Sequence, residues 1–178
     1  IREANLDVID LAEFTGFPEI LDGRVKTLNP KVHGGILATR TKHPHLDQMA
    51  DNDIVDIDLV IVNLYPFRDT VASGKHFDEC IENIDIGGPA MIRSAAKNFE
   101  FVSVVTNPAD YKVLSETLEK NDGATTLSLR KKLAANAFAH TASYDGAIAT
   151  WFSGQIEEDS FPKYISFTGT RAQALRYG

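Results

Sequence analysis

The stretch Leu59-Val60-Ile61-Val62-Asn63-Leu64-Tyr65-Pro66-Phe67 decides the fold. Four consecutive apolar residues, three of them β-branched, suit a strand buried on both faces rather than one alternating between core and solvent. Pro66 has no N–H to give a neighbouring strand, so it ends the ladder. Asn63 and Tyr65 therefore fall at the carboxyl end of a buried strand, the edge at which open parallel sheets hold their ligands. A tyrosine there can equally be an amphipathic edge residue with its hydroxyl in water.

Two more short apolar runs lie to either side, Asp7 to Leu11 and Phe101 to Val105. Helical patterns separate or follow the runs: His45 to Ala50, His76 to Asn83, Pro89 to Asn98, Ala109 to Lys120, and a long one from Leu127 to about Phe152. Strands alternating with helices predict an α/β fold, a parallel sheet with helices on both sides. The long helix carries Leu129, Leu133, Ala137, Tyr144, Ile148 and Phe152 as a packing stripe. His140 and Thr141 interrupt that stripe, and a packed, hydrogen-bonded core histidine is expected there rather than a ligand. After Gly154 the pattern dissolves into acidic Gln155 to Ser160, helix-blocking Phe161-Pro162 and a turn at Thr168-Gly169-Thr170, which reads as a linker or the lip of another domain.

Length and composition narrow the function classes. At 178 residues and 43% hydrophobic the chain suits one globular domain with a full core. Cys80 is the single cysteine, which excludes an intrachain disulfide and a thiolate cluster. His43 and His45 flank Pro44 with no carboxylate or cysteine at metal spacing, so no metal is expected. No run reaches the roughly 18 apolar residues of a membrane span, and Ile1 to Asn5 lacks a secretion-signal pattern, so the expectation is a cytoplasmic protein without a membrane partner. Helix-like Ile1 to Asn5 runs straight into an apolar segment, as if the chain opens partway through a fold.

Charge points to a small anion. With 25 acidic and 18 basic side chains the net charge is -7, which repels polyanions at long range, and nucleic acid would need a broader basic face. Yet Arg24, Lys26 and Lys31 gather within Asp22 to Val32 beside Gly23. Such a knot is either a solvated loop or one wall of an anion site. A second anion-friendly element follows at Ile84-Asp85-Ile86-Gly87-Gly88-Pro89, where glycines before a proline mark a helix start. Free N–H groups and the positive dipole end stabilise an anion or a developing oxyanion at such a start. Asp85 is either a helix cap or a carboxylate paired with a lysine. Arg93 and Lys97 share one face of that helix. There is no Gly-x-Gly-x-x-Gly, P-loop or His-Glu-x-x-His, so no nucleotide cofactor is called for.

Thr15 to Glu19 with Asp22 to Gly35, Asn63 to Phe67, Ile84 to Asn98 and Ala137 to Ala142, in this order, resemble the inosine monophosphate cyclohydrolase domain of bifunctional purine-biosynthesis proteins. The resemblance covers nearly the whole chain, and Leu175 to Gly178 looks like the opening of the family's transformylase region. It implies a methylglyoxal-synthase-like fold, a Rossmann-like three-layer sandwich, with residues 1–154 as the cyclohydrolase domain and 155–178 as linker and transformylase start. It also implies ring closure of formylaminoimidazole carboxamide ribotide to inosine monophosphate (IMP), with loss of water and no cofactor, in a homodimer. Arg24, Val25, Lys26, Thr27, Val62, Asn63, Asp85, Ile86 and Gly87 match the family's nucleotide-binding segments; Lys26, Tyr65, Asp85 and Lys97 match its catalytic groups. The carboxamide nitrogen must attack the formyl carbon while losing a proton, so a base, an acid and an oxyanion site are needed. On this reading Lys26 and the N–H groups near Ile86 and Gly87 hold the oxyanion, Asp85 orients or deprotonates the amide, and Lys97 with Tyr65 supplies a proton.

Two departures stand out. Asn29 occupies the place of the histidine expected in a Lys-Thr-Leu-His-Pro run. The serine- and lysine-bearing loop and the Ser-Thr-Gly-Gly-Thr-like loop that hold the family's substrate phosphate are expected before Ile1. The competing reading is a non-catalytic fragment that binds purine nucleotide or supports dimerisation.

Overall fold

A computed structural model describes residues 2–156, 163–169, 172–173 and 175–177. Ile1, residues 157–162 of the acidic and proline-bearing stretch, Thr170 of the expected turn, and Gly178 lie outside the described residues. In chain order the main elements are α1 (Leu11–Thr15), α2 (Pro30–Leu37), α3 (His43–Asp51), β1 (Leu59–Ile61), α4 (Phe67–Ala72), α5 (Phe77–Glu82), α6 (Gly87–Lys97), β2 (Ser103–Val105), α7 (Tyr111–Lys120) and α8 (Leu127–Ser153). They fall into two compact units, Ile1–Leu64 with Asp85–Phe138, and Tyr65–Ile84 with Ala139–Gly178.

The first unit contains the sheet. β1 and β2 run parallel, with Leu59 opposite Ser103, Val60 opposite Val104 and Ile61 opposite Val105. The Val62 N–H donates to the Val105 carbonyl at 3.0 Å and the Ser103 N–H to the Asp58 carbonyl at 2.9 Å, extending the ladder at both ends. All of β2 is buried, as a continuous apolar run predicts. β1 departs from that expectation: Val60 is buried, but Leu59 and Ile61 keep 37% and 47% of their surface. Among the described residues β1 has one neighbouring strand and one covered face. No strand forms at Asp7 to Leu11. Val8 and Ile9 are exposed, and Leu11 instead opens α1. Asp7 and Asp10 punctuate the run, leaving too little uninterrupted apolar sequence to hold a buried strand.

Val32 and Ile36 of α2, Ile92, Ala95 and Ala96 of α6, and Leu133, Ala134 and Ala137 of α8 close over Val60, Val102, Val104 and Val105. Burial of each valine, leucine or isoleucine contributes about 1.5–3 kcal/mol. Asn98, just past α6, donates its side-chain amide to the carbonyls of Ile36 (2.7 Å) and Ala38 (2.9 Å), fixing the end of α2 to the end of α6. Asn29 serves as the N-cap of α2, accepting the Lys31 N–H at 2.8 Å while Pro30 begins the helix. Such a cap is worth about 1 kcal/mol.

The second unit is built around aromatic rings. Phe67 is fully buried and meets Tyr144 and Trp151 edge-on, with centroids 6.3 and 5.5 Å away. Phe77 stacks on Trp151 at 5.2 Å. The Tyr144 hydroxyl donates to the Asn83 carbonyl at 3.1 Å, and Arg68 donates to the carbonyl and hydroxyl of Ser143 at 2.8 and 2.9 Å. Thr141 is buried. His140 is packed as the stripe predicts, but its Nε2 has no hydrogen-bond partner among the described residues. Burial holds that imidazole below its ordinary pKa.

Candidate functional site

The Arg24 to Thr27 segment is held by a tight turn. Ile20 and Val25 form an isolated antiparallel bridge, and between them Leu21, Asp22 and Gly23 all take positive φ, at 55°, 53° and 90°. The left-handed region costs an ordinary L-residue about 1–2 kcal/mol, so Leu21 and Asp22 store strain beside the segment, a usual mark of functional loops. At Gly23 a Cβ would stand 2.8 Å from Glu19 Oε1. The glycine therefore lets Glu19 tuck under the turn, where its other oxygen pairs with Lys26 Nζ at 2.5 Å. Both side chains are about half-exposed, so this pair is a weak tether that a bound anion can compete with.

The start of α6 sits under the same segment. A Cβ on Gly87 would overlap Thr27 Oγ1, so Thr27 lies directly on the Gly87 backbone. Asp85 Oδ1 accepts the Gly88 N–H at 2.7 Å, and a Cβ on Gly88 would meet Asp85 Oδ2 at 2.5 Å and Leu64 Cδ2 at 2.7 Å. The helix begins two residues before Pro89, and the capping carboxylate belongs to Asp85, one residue outside Ile86. Thr27, Leu64, Asp85, Gly87 and Gly88 are thereby brought together without intervening side chains. Asn63, next to Leu64, has its amide 3.5 Å from the Tyr111 hydroxyl at the start of α7. The carboxyl ends of β1 and β2 thus carry both partners.

Not every expected residue joins this group. Lys97 is exposed in the last turn of α6, ten residues from Gly87 and so about 15 Å further along the axis at about 1.5 Å per residue. Arg93, on its face, places its guanidinium 5.6 Å from the Phe138 ring centroid. Tyr65 belongs to the second unit and keeps 55% of its surface. Lys31 is spent on the first turn of α2. Ile86 is exposed at the mouth of the α6 N-terminus, and Val62 is half-buried at the strand end.

Sequence reasoning missed His33. Its Nδ1 lies 3.1 Å from Ser94 Oγ on α6. Burial lowers its pKa, an effect partly opposed by the Thr27 backbone. The only signal was its place four residues after the Asn29 cap, where a side chain leans back over the helix start. A cavity of about 750 Å³ in the second unit, lined by Phe67, Arg68, Trp151 and Phe167 among others, holds none of the expected catalytic or nucleotide-binding residues. Among the described residues no group of three or more His, Cys, Asp or Glu is arranged for a metal, and no helix is long and apolar enough to cross a membrane.

Comparison with known proteins identifies the family. Residues 1–90 match the family model of the MGS-like domain, and residues 95–178 match that of the AICARFT/IMPCHase bienzyme. All 178 residues align with the bifunctional purine biosynthesis protein PurH of Cereibacter sphaeroides at 58% identity and of Rhodospirillum rubrum at 55%, and in each case cover 34% of the relative. For the Roseobacter denitrificans protein the identity is 60% over 33% of its length. The chain thus spans about a third of the curated relatives it matches. The crystal structure of ForH superposes with a TM-score of 0.71 at 39% identity, over 85% of this chain and 79% of that one.

Proposed function

Since the chain belongs to the MGS-like domain family and continues into sequence of the AICARFT/IMPCHase bienzyme family, we propose that it closes the purine ring of IMP. The substrate is 5-formamidoimidazole-4-carboxamide ribotide, water is lost, and no cofactor takes part. The observation that carries this reading is the seating of Thr27 on Gly87 beside the Asp85-capped start of α6. It gathers a cationic segment, a carboxylate and a helix N-terminus at one strand end, in a chain of net charge -7.

Chemically, the carboxamide N–H donates to Asp85, which aligns the nitrogen on the formyl carbon and accepts its proton as the C–N bond forms. Charge collects on the formyl oxygen. The N–H groups at Ile86 and Gly87 and the Lys26 ammonium, once drawn from Glu19, stabilise it. Two protons delivered to that oxygen, as the former formamide nitrogen gives up its own and the ring C=N bond forms, let it depart as water. Tyr65 and Lys97 are the proposed proton donors. Lys97 enters through the resemblance alone, since α6 carries it away from Asp85 within this chain. Arg24, Val25, Val62 and Asn63 line the nucleotide. A homodimer and a cytoplasmic setting complete the proposal, with residues 155–178 as the passage toward a transformylase region.

The test is titration with IMP beside an absorbance assay of ring closure, on the intact polypeptide. Saturable binding with turnover supports the proposal, and Lys97→Ala should then lose most turnover if that residue is a proton donor. Binding without turnover supports a non-catalytic nucleotide module instead. The absence of both overturns the proposal and leaves a fragment that only supports dimerisation.

A further inference from the structure

We propose that His33 is a positioning residue of this site, a spacer that ties the Lys26–Thr27 segment to α6 and fixes how Thr27 sits on Gly87. The inference rests on the cyclohydrolase reading for its activity readout, and on geometry for its structural claim. Ser94 Oγ donates its single proton to the Ala90 carbonyl at 2.8 Å. It can therefore only accept from His33, so the neutral ring carries its proton on Nδ1, 3.1 Å away. Nε2 is then a lone pair, buried and without a hydrogen-bond partner among the described residues.

The Thr27 backbone nevertheless raises the ring's proton affinity. The Thr27 carbonyl therefore faces the ring, placed to take a hydrogen bond from it once the ring is protonated. That carbonyl is already engaged by the Asn29 N–H at 2.9 Å. The imidazole thus stands between the segment and α6, bonded to the helix and packed against the segment's backbone. A second contact joins the same two elements, Thr27 Oγ1 over Gly87. Together they fix both the side chain and the main chain of Thr27, and with them the adjacent Lys26.

The experiment compares His33→Ala, His33→Gln, Ser94→Ala and the His33→Ala/Ser94→Ala pair in the intact polypeptide, reading kcat, KM and thermal stability separately. Misplacing a positioned group by about 1 Å costs up to about 10²-fold, so His33→Ala should raise KM about tenfold or more. Ser94→Ala should move KM in the same direction, and the double variant should be no worse than His33→Ala. His33→Gln, which still spans the gap, should recover part of the loss. A structural role alone lowers the active fraction and leaves KM in place, so KM within about twofold of the parent in the folded variants overturns the inference. Should the parent itself neither bind IMP nor turn over, the functional reading fails, and long-range proton–nitrogen NMR of the imidazole still decides the tie. A neutral Nδ1–H tautomer supports it, and an Nε2–H tautomer overturns it.

Discussion

Replacing Gly87 by alanine tests whether the segment rests on α6 as described. The new Cβ would overlap Thr27 Oγ1 and stand 3.6 Å from Thr27 Cβ, an ordinary contact. The clash is therefore with one atom. Overpacking of this kind costs about 1–3 kcal/mol, less where the threonine escapes to another rotamer. Against it stands the helix preference of alanine over glycine, about 0.5–1 kcal/mol. Gly87→Ala should thus destabilise by between zero and about 2.5 kcal/mol. In a Thr27→Ala background the offending oxygen is gone, and the same change should become neutral or stabilising by up to about 1 kcal/mol. Urea unfolding of the four proteins, compared at constant slope, yields the coupling between the two sites. A coupling of about 1–3 kcal/mol is expected; one under about 0.5 kcal/mol, the scatter of independent sites, means that Thr27 does not sit on Gly87.

Three more outcomes follow from the geometry. Glu19→Gln removes a competitor for Lys26, and since exposed pairs are worth at most about 1 kcal/mol, phosphate or nucleotide affinity should rise by no more than about fivefold, less at high salt. Isothermal titration at two salt concentrations checks it. Asp85→Asn keeps an oxygen to accept the Gly88 N–H, so the melting temperature should hold while turnover falls by about 10²-fold or more; Asp85→Ala should lose both, with about 1 kcal/mol of stability for the missing cap. His33 and His140 are held below the ordinary value of 6.5 by burial. The unfolded chain then takes up their protons first, so their contribution is intact above pH 6.5 and is lost as pH falls through the lower folded values. A shallower acid-side loss of stability in His140→Gln, measured by unfolding between pH 7 and pH 5, is the expected sign; an unchanged profile removes His140 from the account.

The α/β class was legible because β-branched runs and helical stripes differ in period, and β2, α6, α7 and α8 lie where those periods place them. The strand expected at Asp7 to Leu11 does not form because Asp7 and Asp10 interrupt an apolar run too short to be held in a sheet. Short α4 hid behind Pro66, which reads as a stop to a strand and serves equally as the entry to a helix. In the site, the glycine-rich start of α6 and the Asp85 cap were visible as local chemistry. The overlap of Thr27 with Gly87, 60 residues apart in the chain, was not, because a glycine's letter does not say which neighbour needs the room. His33 was invisible for the same reason: its partner Ser94 is on another helix.

Between β1 and α6 the chain leaves the first unit for Tyr65–Ile84 and then returns to it. Leu59 cannot meet Ser103 until that whole excursion has been synthesised, and its ends must close before the parallel pair yields any enthalpy. Folding of the sheet is therefore a late, non-local event, and α2, at 8 residues too short to stand alone, waits for the same core. Early in synthesis the cationic segment has no α6 beneath it, so the proposed anion site is assembled only when both halves of the first unit exist. A nascent chain stopped within Tyr65–Ile84 should bind no nucleotide and should expose Val60, which the folded protein buries, to chaperones.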